Sequence, residues 1–329
     1  MAQTFEHEVV IIGAGPAGMC AAMYAGRAML NSVILERGFP GGELLNTELI
    51  EDYPGFETVL GHELALKFEK HAAKFGAIFK TGVTVTTLRK RDDGVFETTA
   101  DNGDTYLSPT AIITAGGTPV KLGVPGELEY AGKGVSYCAI CDGAFFRNHT
   151  IAVVGGGDAA VEEADFLTRY ADKVYLIHRR NELRASKILQ QRLFANRKIE
   201  PIWDTVVEQV EANGDGLVNN LRLRNLNTGD ARDLAATGMF VFIGFRPNTG
   251  IIEGHVAHDE LGYLVTDVNM QTSIPGLFAA GDLRAQLTRQ VTTAVGDATT
   301  AAIAAEKYLK ALRDGQREPK VEGTGGYAV

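Results

Sequence analysis

The chain has 329 residues, 45% of them hydrophobic, which is enough to fill the cores of two domains. Its 41 acidic and 32 basic residues give a formal net charge of −9. That charge argues against a nucleic-acid partner, because phosphate backbones require a basic surface. No apolar run approaches the ~20 residues that span a bilayer, so no membrane partner is expected either.

The cysteine content favours a reducing compartment. Three cysteines are fewer than a scaffold of an oxidising compartment carries, and their number is odd. The chain opens with a short polar stretch and then a strand, without the charged and apolar segments of an export signal. We therefore expect a cytoplasmic protein.

In chain order, the first predicted unit is a strand, a glycine turn, a helix and a second strand. Residues 9–12 are Val-Val-Ile-Ile and predict a buried strand, and residues 13–18 form the turn into an Ala- and Met-rich helix. Residues 32–35 predict the next strand, which ends at Glu36. This order is typical of a parallel sheet that binds a dinucleotide.

The same order returns later in the chain. A strand at residues 151–154 precedes a glycine turn at residues 155–160, a helix to about Tyr170 and a strand at residues 174–177. Two such units predict two nucleotide-binding domains in an α/β fold.

Two breaks suggest how these domains are connected. Residues 83–88 and 111–114 predict strands, and a Gly/Pro break follows at residues 116–119; a second break, at residues 244–250, follows a strand at 239–243. We interpret the breaks as paired linkers, so that the second domain is inserted into the first. The predicted boundaries are residues 1–118 and 249–329 for the first domain and 119–248 for the second. The first domain resumes at residues 277–282 and continues into a long helix from about Arg289, and residues 318–329 predict a loose tail.

A redox motif lies between the two glycine turns. Cys138 and Cys141 are separated by two residues and are followed directly by Asp142. This spacing permits a small disulfide, and a nearby carboxylate can move the protons that disulfide exchange requires. The same pair could be half of a zinc site, which would need two further ligands. Beside two dinucleotide motifs, the pattern favours electron transfer from a pyridine nucleotide to a disulfide.

The residue at the end of the second strand predicts which nucleotide each unit binds. In the first unit it is Glu36, whose carboxylate can accept ribose hydroxyls and would repel a 2′-phosphate. In the second unit the same offset falls on His178, followed by Arg179, Arg180 and Arg184. Guanidinium groups grip phosphate with two parallel hydrogen bonds, so the second site is predicted to bind NADPH. A solvated charge run is the alternative interpretation.

Over nearly its whole length the chain resembles the low-molecular-weight, bacterial-type thioredoxin reductases. The resemblance is carried by blocks in the same order, at residues 13–18, 41–42, 53–55, 137–143, 155–164, 178–180, 281–282 and 289–291. It implies two Rossmann-like domains, each a three-layer ββα arrangement, with FAD in the first and NADPH in the inserted second. It also implies a homodimer and thioredoxin as the electron acceptor.

The resemblance also implies residue roles. Cys138 would attack the partner's disulfide, Cys141 would face the flavin, and Asp142 would donate and accept protons. The implied FAD-binding residues are Gly13, Gly15, Pro16, Ala17, Gly18, Glu36, Gly41, Gly42, Asp282, Arg289, Gln290 and Val291. The implied NADPH-binding residues are Gly155, Gly157, Asp158, Ala159, His178, Arg179, Arg180 and Arg184. No metal ligand is implied.

The sequence departs from the family pattern at three positions. Glu43 replaces the usual Gln, Asp52 stands where Asn is common, and Ala298 follows Asp297 where the family usually has glycine. The two carboxylates would lie near the flavin, where added negative charge could lower its reduction potential or alter its affinity.

Other acceptors and another class of function remain open at this point. The dithiol could serve a glutaredoxin-like protein or a peroxiredoxin, or the chain could be a flavin-bearing redox sensor. Because the inserted domain carries both the dithiol and the nicotinamide site, we further hypothesise that it rotates on its linkers to present them to the flavin in turn.

Overall fold

The computed structural model describes residues 2–319, and it divides into two compact units. The first unit contains the residues up to Thr118 and from Arg246 on, and the second is Pro119–Phe245. The chain therefore leaves the first unit once and returns to it once. Of the predicted tail, residues 320–329 lie outside the described part of the chain.

The elements of the first unit before the crossing are β1 (Thr4–Glu6), β2 (Val9–Ile12), α1 (Pro16–Arg27), β3 (Ser32–Glu36), β4 (Leu49–Ile50), β5 (Val59–Leu60), α2 (Gly61–Lys74), β6 (Ile78–Thr81), β7 (Val85–Lys90), β8 (Phe96–Ala100), β9 (Thr105–Ser108) and β10 (Thr110–Ile113). The chain then passes through β11 (Gly117–Pro119).

The second unit contains β12 (Val135–Ser136), α3 (Ala139–Asp142), β13 (Thr150–Gly155), α4 (Asp158–Leu167), β14 (Lys173–Ile177), α5 (Lys187–Ala195), β15 (Ile199–Ile202), β16 (Thr205–Ala212), β17 (Val218–Asn225), β18 (Ala231–Ala235) and β19 (Gly238–Phe242). The chain returns through β20 (Phe245–Pro247) and ends its regular structure with β21 (Leu277–Ala279) and α6 (Val291–Arg313). Short 3₁₀ turns span Gly42–Asn46 and Gly143–Phe146.

A parallel sheet in the order β21-β10-β2-β3-β6 forms the centre of the first unit. Its strands are apolar throughout because both faces are covered. Val9 and Ile11 pack with residues of α1 and α6, whereas Val10 and Ile12 pack with Phe96 and other residues of the antiparallel β7–β9 sheet. The carboxyl ends of these strands lie at one edge, where ligands of such sheets bind.

The second unit repeats this arrangement. Its parallel sheet has the order β12-β19-β13-β14-β15, with α4 and α5 on one face and the antiparallel β16–β18 sheet on the other. Ile151 and Val153 face the helices, and Ala152 and Val154 face the second sheet. The predicted α/β fold, with two three-layer ββα units, is confirmed.

Element boundaries differ from the sequence predictions by a few residues. Helix α4 ends at Leu167 rather than near Tyr170, because the next residues form tighter turns in which Tyr170 N bonds Leu167 O. The strand expected at residues 83–88 is β7, which begins at Val85. The Val83 N–H instead donates a hydrogen bond to Glu36 O, at the end of β3. Among residues 2–319, no helix combines the length and apolar character needed to cross a membrane.

Candidate redox-active disulfide and dinucleotide sites

The two cysteines of the redox motif form a disulfide in the second unit, with their Cα atoms 5.4 Å apart. Cys138 is the N-cap of the single-turn helix α3, and the Cys141 backbone N–H donates to Cys138 Sγ at 3.2 Å. An N–H aimed at this sulfur favours negative charge on it. Cys141 is exposed and Cys138 is half-buried.

Asp142 lies at the end of the same turn and is half-buried. Its Oδ2 accepts a hydrogen bond of 2.6 Å from the Ser136 hydroxyl, which comes from the end of β12. The Asp142 amide bonds to Cys138 O at 3.3 Å. The structure thus brings together the three residues expected to be catalytic.

A buried carboxylate anchors the segment that leads into the disulfide. Glu127 is fully buried and accepts hydrogen bonds from Leu122 N (2.8 Å), Gly123 N (2.6 Å) and the Tyr137 hydroxyl (2.9 Å). Burial, and then the bond to Glu127, raise the pKa of Tyr137 above its usual range, so the phenol stays protonated and donates. Since Tyr137 directly precedes Cys138, this bond restrains the backbone beside the disulfide.

The third cysteine is a core residue. Cys20 is buried in α1, and its thiol donates to Val295 O at 3.5 Å. Burial raises the pKa of this thiol, which keeps it protonated and unreactive.

The first glycine turn requires glycine for close backbone contact. Gly13 has φ +101°, and a Cβ there would lie 2.6 Å from Thr114 O; a Cβ on Gly18 would lie 1.8 Å from Gly13 O. Gly15 differs, because its nearest neighbour would be the Cα of Gly42 at 3.9 Å. Two glycines therefore close the turn, and the third leaves space in front of the N-terminus of α1, where a pyrophosphate binds in such motifs.

A cavity of about 340 Å³ lies beside this turn, within the first unit. Its lining includes Gly13, the apolar side chains of Val83 and Val85, and Glu36 at the end of β3. Glu36 is held in place because Ala14 N donates to Oε2 at 2.7 Å and Gly38 N donates to Oε1 at 2.8 Å. Apolar walls with a fixed carboxylate fit the adenosine half of FAD.

Other residues expected to contact FAD meet at the same turn. Gly281 follows β21 with φ +82°, and a Cβ there would lie 3.1 Å from Ala17 Cβ, so this loop lies against the start of α1. Burial raises the pKa of the adjoining Asp282, and the nearby Arg289 partly offsets the rise. The Arg289 guanidinium lies 3.9 Å from the centre of the Tyr263 ring, a cation–π contact that orients it.

The two remaining residues of this set, Gln290 and Val291, begin the last helix. Gln290 is the N-cap of α6, and its N–H donates to the Thr293 hydroxyl at 3.1 Å. Val291 packs against the buried cluster that contains Leu44, which places it beside the 3₁₀ turn that carries Gly42. Pro16 supplies the first residue of α1, where its missing N–H costs nothing.

A buried ion pair fastens the Gly281 loop to helix α6. Arg284 Nε lies 3.1 Å from Asp297 Oδ2, and Nη2 lies 3.3 Å from Oδ1. Both side chains are nearly buried, and Oδ2 also accepts from Gly281 N at 3.2 Å. The pair therefore fixes the backbone beside Asp282.

The three departures from the family pattern have different environments. Glu43 is exposed as a residue, but partial desolvation of its carboxyl group raises the pKa of that group; the hydrogen bond from Asn46 and the charge of Arg37 partly offset the rise. Asp52 is exposed, and Ala298 is fully buried in the core between the parallel sheet and helices α1 and α6. Glu43 also contributes to raising the pKa of Asp282.

In the second glycine turn, too, two glycines allow close contacts and a third leaves space. A Cβ on Gly155 would lie 2.3 Å from Phe242 O, and one on Gly156 would lie 2.2 Å from His178 Cε1. A Cβ on Gly157 would meet nothing within 4 Å. Asp158 and Ala159 then begin α4, so the open space lies before a helix N-terminus and fits a second pyrophosphate.

Backbone hydrogen bonds hold the segment that carries Arg179, Arg180 and Arg184 against this turn. Arg184 N donates to Gly156 O at 2.8 Å, and Ser186 N donates to Asp158 Oδ1 at 2.6 Å. Arg184 is exposed, as are Arg179 and Arg180, so the three guanidinium groups are accessible to a phosphate.

His178 is placed differently from the arginines. It is only 6% exposed, its ring packs under Gly156, and its Nε2 lies 3.0 Å from Glu182 O. Burial lowers the pKa of His178; the carbonyl groups of Glu182 and Gly155 partly offset this, and nearby arginines add to it. This histidine supports the loop instead of extending into solvent with the arginines.

Sequence reasoning did not find Ser136, Glu127 or Arg284. Ser136 is two residues before Cys138, but a serine there carries no spacing signal. Glu127 and Arg284 resemble ordinary surface charges in the sequence, and only their partners, Tyr137 and Asp297, show that they are buried anchors.

Comparison with known proteins agrees with this geometry. Residues 7–298 match the family described as "Pyridine nucleotide-disulphide oxidoreductase". A thioredoxin reductase of Listeria innocua is 45% identical over 308 residues, covering 94% of this chain and 95% of that protein. A thioredoxin reductase of Bacillus subtilis is 43% identical, covering 95% of this chain and 98% of that protein.

Among solved structures, thioredoxin reductase of Lactococcus lactis matches with a TM-score of 0.90 and 43% identity, covering 93% of this chain and 99% of that chain. The chain belongs to the pyridine nucleotide-disulphide oxidoreductases and, within them, to the low-molecular-weight thioredoxin reductases. FAD and NADPH are the cofactors of this family, which confirms the cofactor prediction.

Two neighbouring glycines of the second turn give a matched test of the NADPH site. Gly157→Ala should fold normally, since φ is −95° and the methyl group meets no protein atom. It should nevertheless raise the KM for NADPH about tenfold, equivalent to 1.4 kcal/mol, by filling the pyrophosphate space. Gly156→Ala should lower the free energy of unfolding by about 1–3 kcal/mol through its clash with His178. Equal stabilities and equal KM values for the two variants would contradict this division.

The Arg284–Asp297 pair should stabilise the first unit and retain FAD. Arg284→Ala leaves a buried carboxylate without its cation, so chemical denaturation of the holoprotein should show a loss of about 3–5 kcal/mol, with easier release of FAD. Arg89→Ala is the control, because Arg89 pairs with Glu97 at 2.6 Å but is 52% exposed. It should cost no more than about 1 kcal/mol. Similar losses in the two variants would refute the anchoring role.

The buried His178 should make the stability of the second unit depend on pH. Its pKa is lowered in the folded state, so the unfolded chain, with a histidine pKa of about 6.5, takes up the proton first. Stability is therefore fully present above about pH 6.5 and declines as the pH falls below it. Between about pH 7.5 and 5.5, His178→Gln should lose less in thermal midpoint than the unsubstituted protein. An equal or larger loss in the variant would contradict the assignment.

Proposed function

We propose that this chain is an NADPH-dependent thioredoxin-disulfide reductase, in which Cys138 and Cys141 carry electrons to oxidised thioredoxin. The proposal rests mainly on the disulfide at the N-cap of α3, followed directly by Asp142, in the unit that also holds the second glycine turn. The identity of about 45% to thioredoxin reductases, over nearly the whole chain, supports thioredoxin as the acceptor.

FAD binds in the first unit. Gly13, Gly15, Pro16, Ala17 and Gly18 form the turn in which Gly15 leaves room for its pyrophosphate, and Glu36 accepts hydrogen bonds from the ribose hydroxyls in the neighbouring cavity. The flavin end is held by Gly41, Gly42, Asp282, Arg289, Gln290 and Val291. The support is that these residues converge on the start of α1 and the start of α6.

NADPH binds in the second unit. Gly155, Gly157, Asp158 and Ala159 receive the pyrophosphate at the N-terminus of α4. Arg179, Arg180 and Arg184 hold the 2′-phosphate, and His178 supports their loop from beneath. The supporting observations are the exposure of the three arginines and the bond from Arg184 N to Gly156 O.

FAD, when bound, would take a hydride from NADPH and supply the two electrons that open the Cys138–Cys141 disulfide to a thiol and a thiolate. The Cys138 thiolate then attacks one sulfur of the thioredoxin disulfide, forming a mixed disulfide and releasing the other sulfur as a thiolate. Cys141 Sγ attacks Cys138 Sγ, which restores the Cys138–Cys141 bond and releases the second sulfur of thioredoxin. Asp142 gives a proton to a departing thiolate and takes one back in the next turnover. The Cys141 N–H stabilises the Cys138 thiolate.

The two linkers have a role in this cycle. Both the dithiol and the NADPH site belong to the second unit, whereas the FAD site belongs to the first. The hypothesis that the second unit rotates on the segments near Thr118 and Arg246 is based on this separation of the sites and on the chain passing between the units there. In solution the protein is a cytoplasmic homodimer; the low cysteine content and the family resemblance support this.

Single cysteine variants test the electron path. In Cys138→Ser or Cys141→Ser, NADPH should still bleach the flavin absorbance, because neither cofactor site is altered. Reduction of thioredoxin, followed with a disulfide dye, should be lost, since one sulfur cannot complete a two-step exchange. Cys20→Ser is the control and should keep full activity, because Cys20 is a buried core residue. Undiminished thioredoxin reduction by either redox-pair variant would overturn the proposal, and titration of other protein disulfides would identify a different acceptor.

A further inference from the structure

Ser136 lies at the start of the redox loop, residues 136–142, and the disulfide mechanism gives it no role. It ends β12, is only 5% exposed, and its hydroxyl lies within hydrogen-bond distance of three groups. These groups are Asp142 Oδ2 at 2.6 Å, Cys138 N at 3.1 Å and Cys138 O at 3.2 Å. One small buried side chain thus connects the backbone of Cys138 to the carboxyl group of Asp142.

A serine hydroxyl has one proton to donate and two lone pairs that accept. When Asp142 is ionised, the Ser136 hydroxyl donates to Oδ2 and accepts from Cys138 N–H. When Asp142 is protonated, its O–H can donate to Ser136 Oγ, and the serine proton can turn to Cys138 O. Every group keeps a partner in both states, and no heavy atom has to move.

We propose that Ser136 is a positioning residue that holds the Asp142 carboxyl group in one place through its change of protonation, by reversing the direction of their hydrogen bond. The proposal rests on the proposed function, in which Asp142 donates and accepts the protons of thiol–disulfide exchange. Ser136 carries one proton before and after each step, so it is neither acid nor base. The Asp142 proton alone is transferred to the departing sulfur and later regained.

This arrangement suits an acid–base group in a half-buried site. A carboxyl group that alternates between donor and acceptor normally needs water or a rotated side chain to satisfy both forms. Here the reorienting partner is a hydroxyl fixed by the Cys138 backbone, and Asp142 N is bonded to Cys138 O at 3.3 Å. Both ends of the hydrogen bond are therefore attached to the loop that carries the disulfide.

The test uses two variants of equal shape. Ser136→Thr and Ser136→Val differ only in the hydroxyl, and both side chains suit a strand. Thr should keep kcat for thioredoxin within about twofold of the unsubstituted protein, and Val should lower it about tenfold with little change in KM. Ser108→Ala is the matched control: Ser108 is buried in the first unit and makes the same local bond, to Thr110 O at 2.8 Å. It should leave kcat unchanged.

A double-mutant cycle separates positioning from a merely structural role. In Asp142→Asn, where the group no longer changes protonation, Ser136→Val should cause no further loss of kcat. Multiplied losses in the double variant, or equal kcat values for the Thr and Val variants, would overturn the proposal. Flavin bleaching by NADPH should proceed at the same rate in every variant.

These outcomes are distinct from failure of the proposed function. If the unsubstituted protein does not reduce thioredoxin, or if Cys138→Ser still reduces it, the disulfide mechanism fails before Ser136 is considered. If the cysteine variants behave as expected and the Thr and Val variants are alike, only the positioning role of Ser136 is refuted.

Discussion

Each unit depends on a turn in which the main chain passes from a buried strand into a helix while touching a neighbouring strand. Added Cβ atoms on Gly13 and Gly155 would lie 2.6 Å from Thr114 O and 2.3 Å from Phe242 O, so any side chain would separate the strands. With the contact made, the helix N-terminus lies at the carboxyl edge of the sheet; a Cβ on Gly157 would meet nothing within 4 Å, and one on Gly15 would meet only the Cα of Gly42, at 3.9 Å. One steric constraint therefore both closes the core and leaves the space in which we propose that the dinucleotides bind.

Buried polar groups give the redox loop its shape. The Glu127 carboxylate holds Tyr137 on one side of Cys138, and the Ser136 hydroxyl joins Cys138 to Asp142 on the other. Such groups are stable only when every donor and acceptor has a partner, because an unsatisfied one costs about 1–3 kcal/mol. A loop built in this way is restrained in position, and that suits exchange chemistry, in which the sulfurs and the proton donor must meet in a fixed geometry.

Acidic groups lie close together where we propose that the first unit holds the flavin. Asp282 has a raised pKa because it is buried, and Glu43 and Asp297 add to the effect. Arg289 opposes it, while Arg284 is committed to the ion pair with Asp297. Glu43, which the sequence analysis identifies as a departure from the family pattern, therefore bears directly on the balance between these charges.

The sequence alone determined the two α/β units, the pairing of glycine turns with strands, and the motif of Cys138, Cys141 and Asp142. It did so because spacing along the chain directly encodes turns, periodicity and a short disulfide. Only the tertiary structure showed that His178 lies under Gly156 while the arginines remain exposed. It also showed that Ser136 bonds to Asp142 and that Arg284 pairs with Asp297. These partners are not encoded by spacing, because burial and a hydrogen-bond partner depend on which segments the packed sheets and helices bring together.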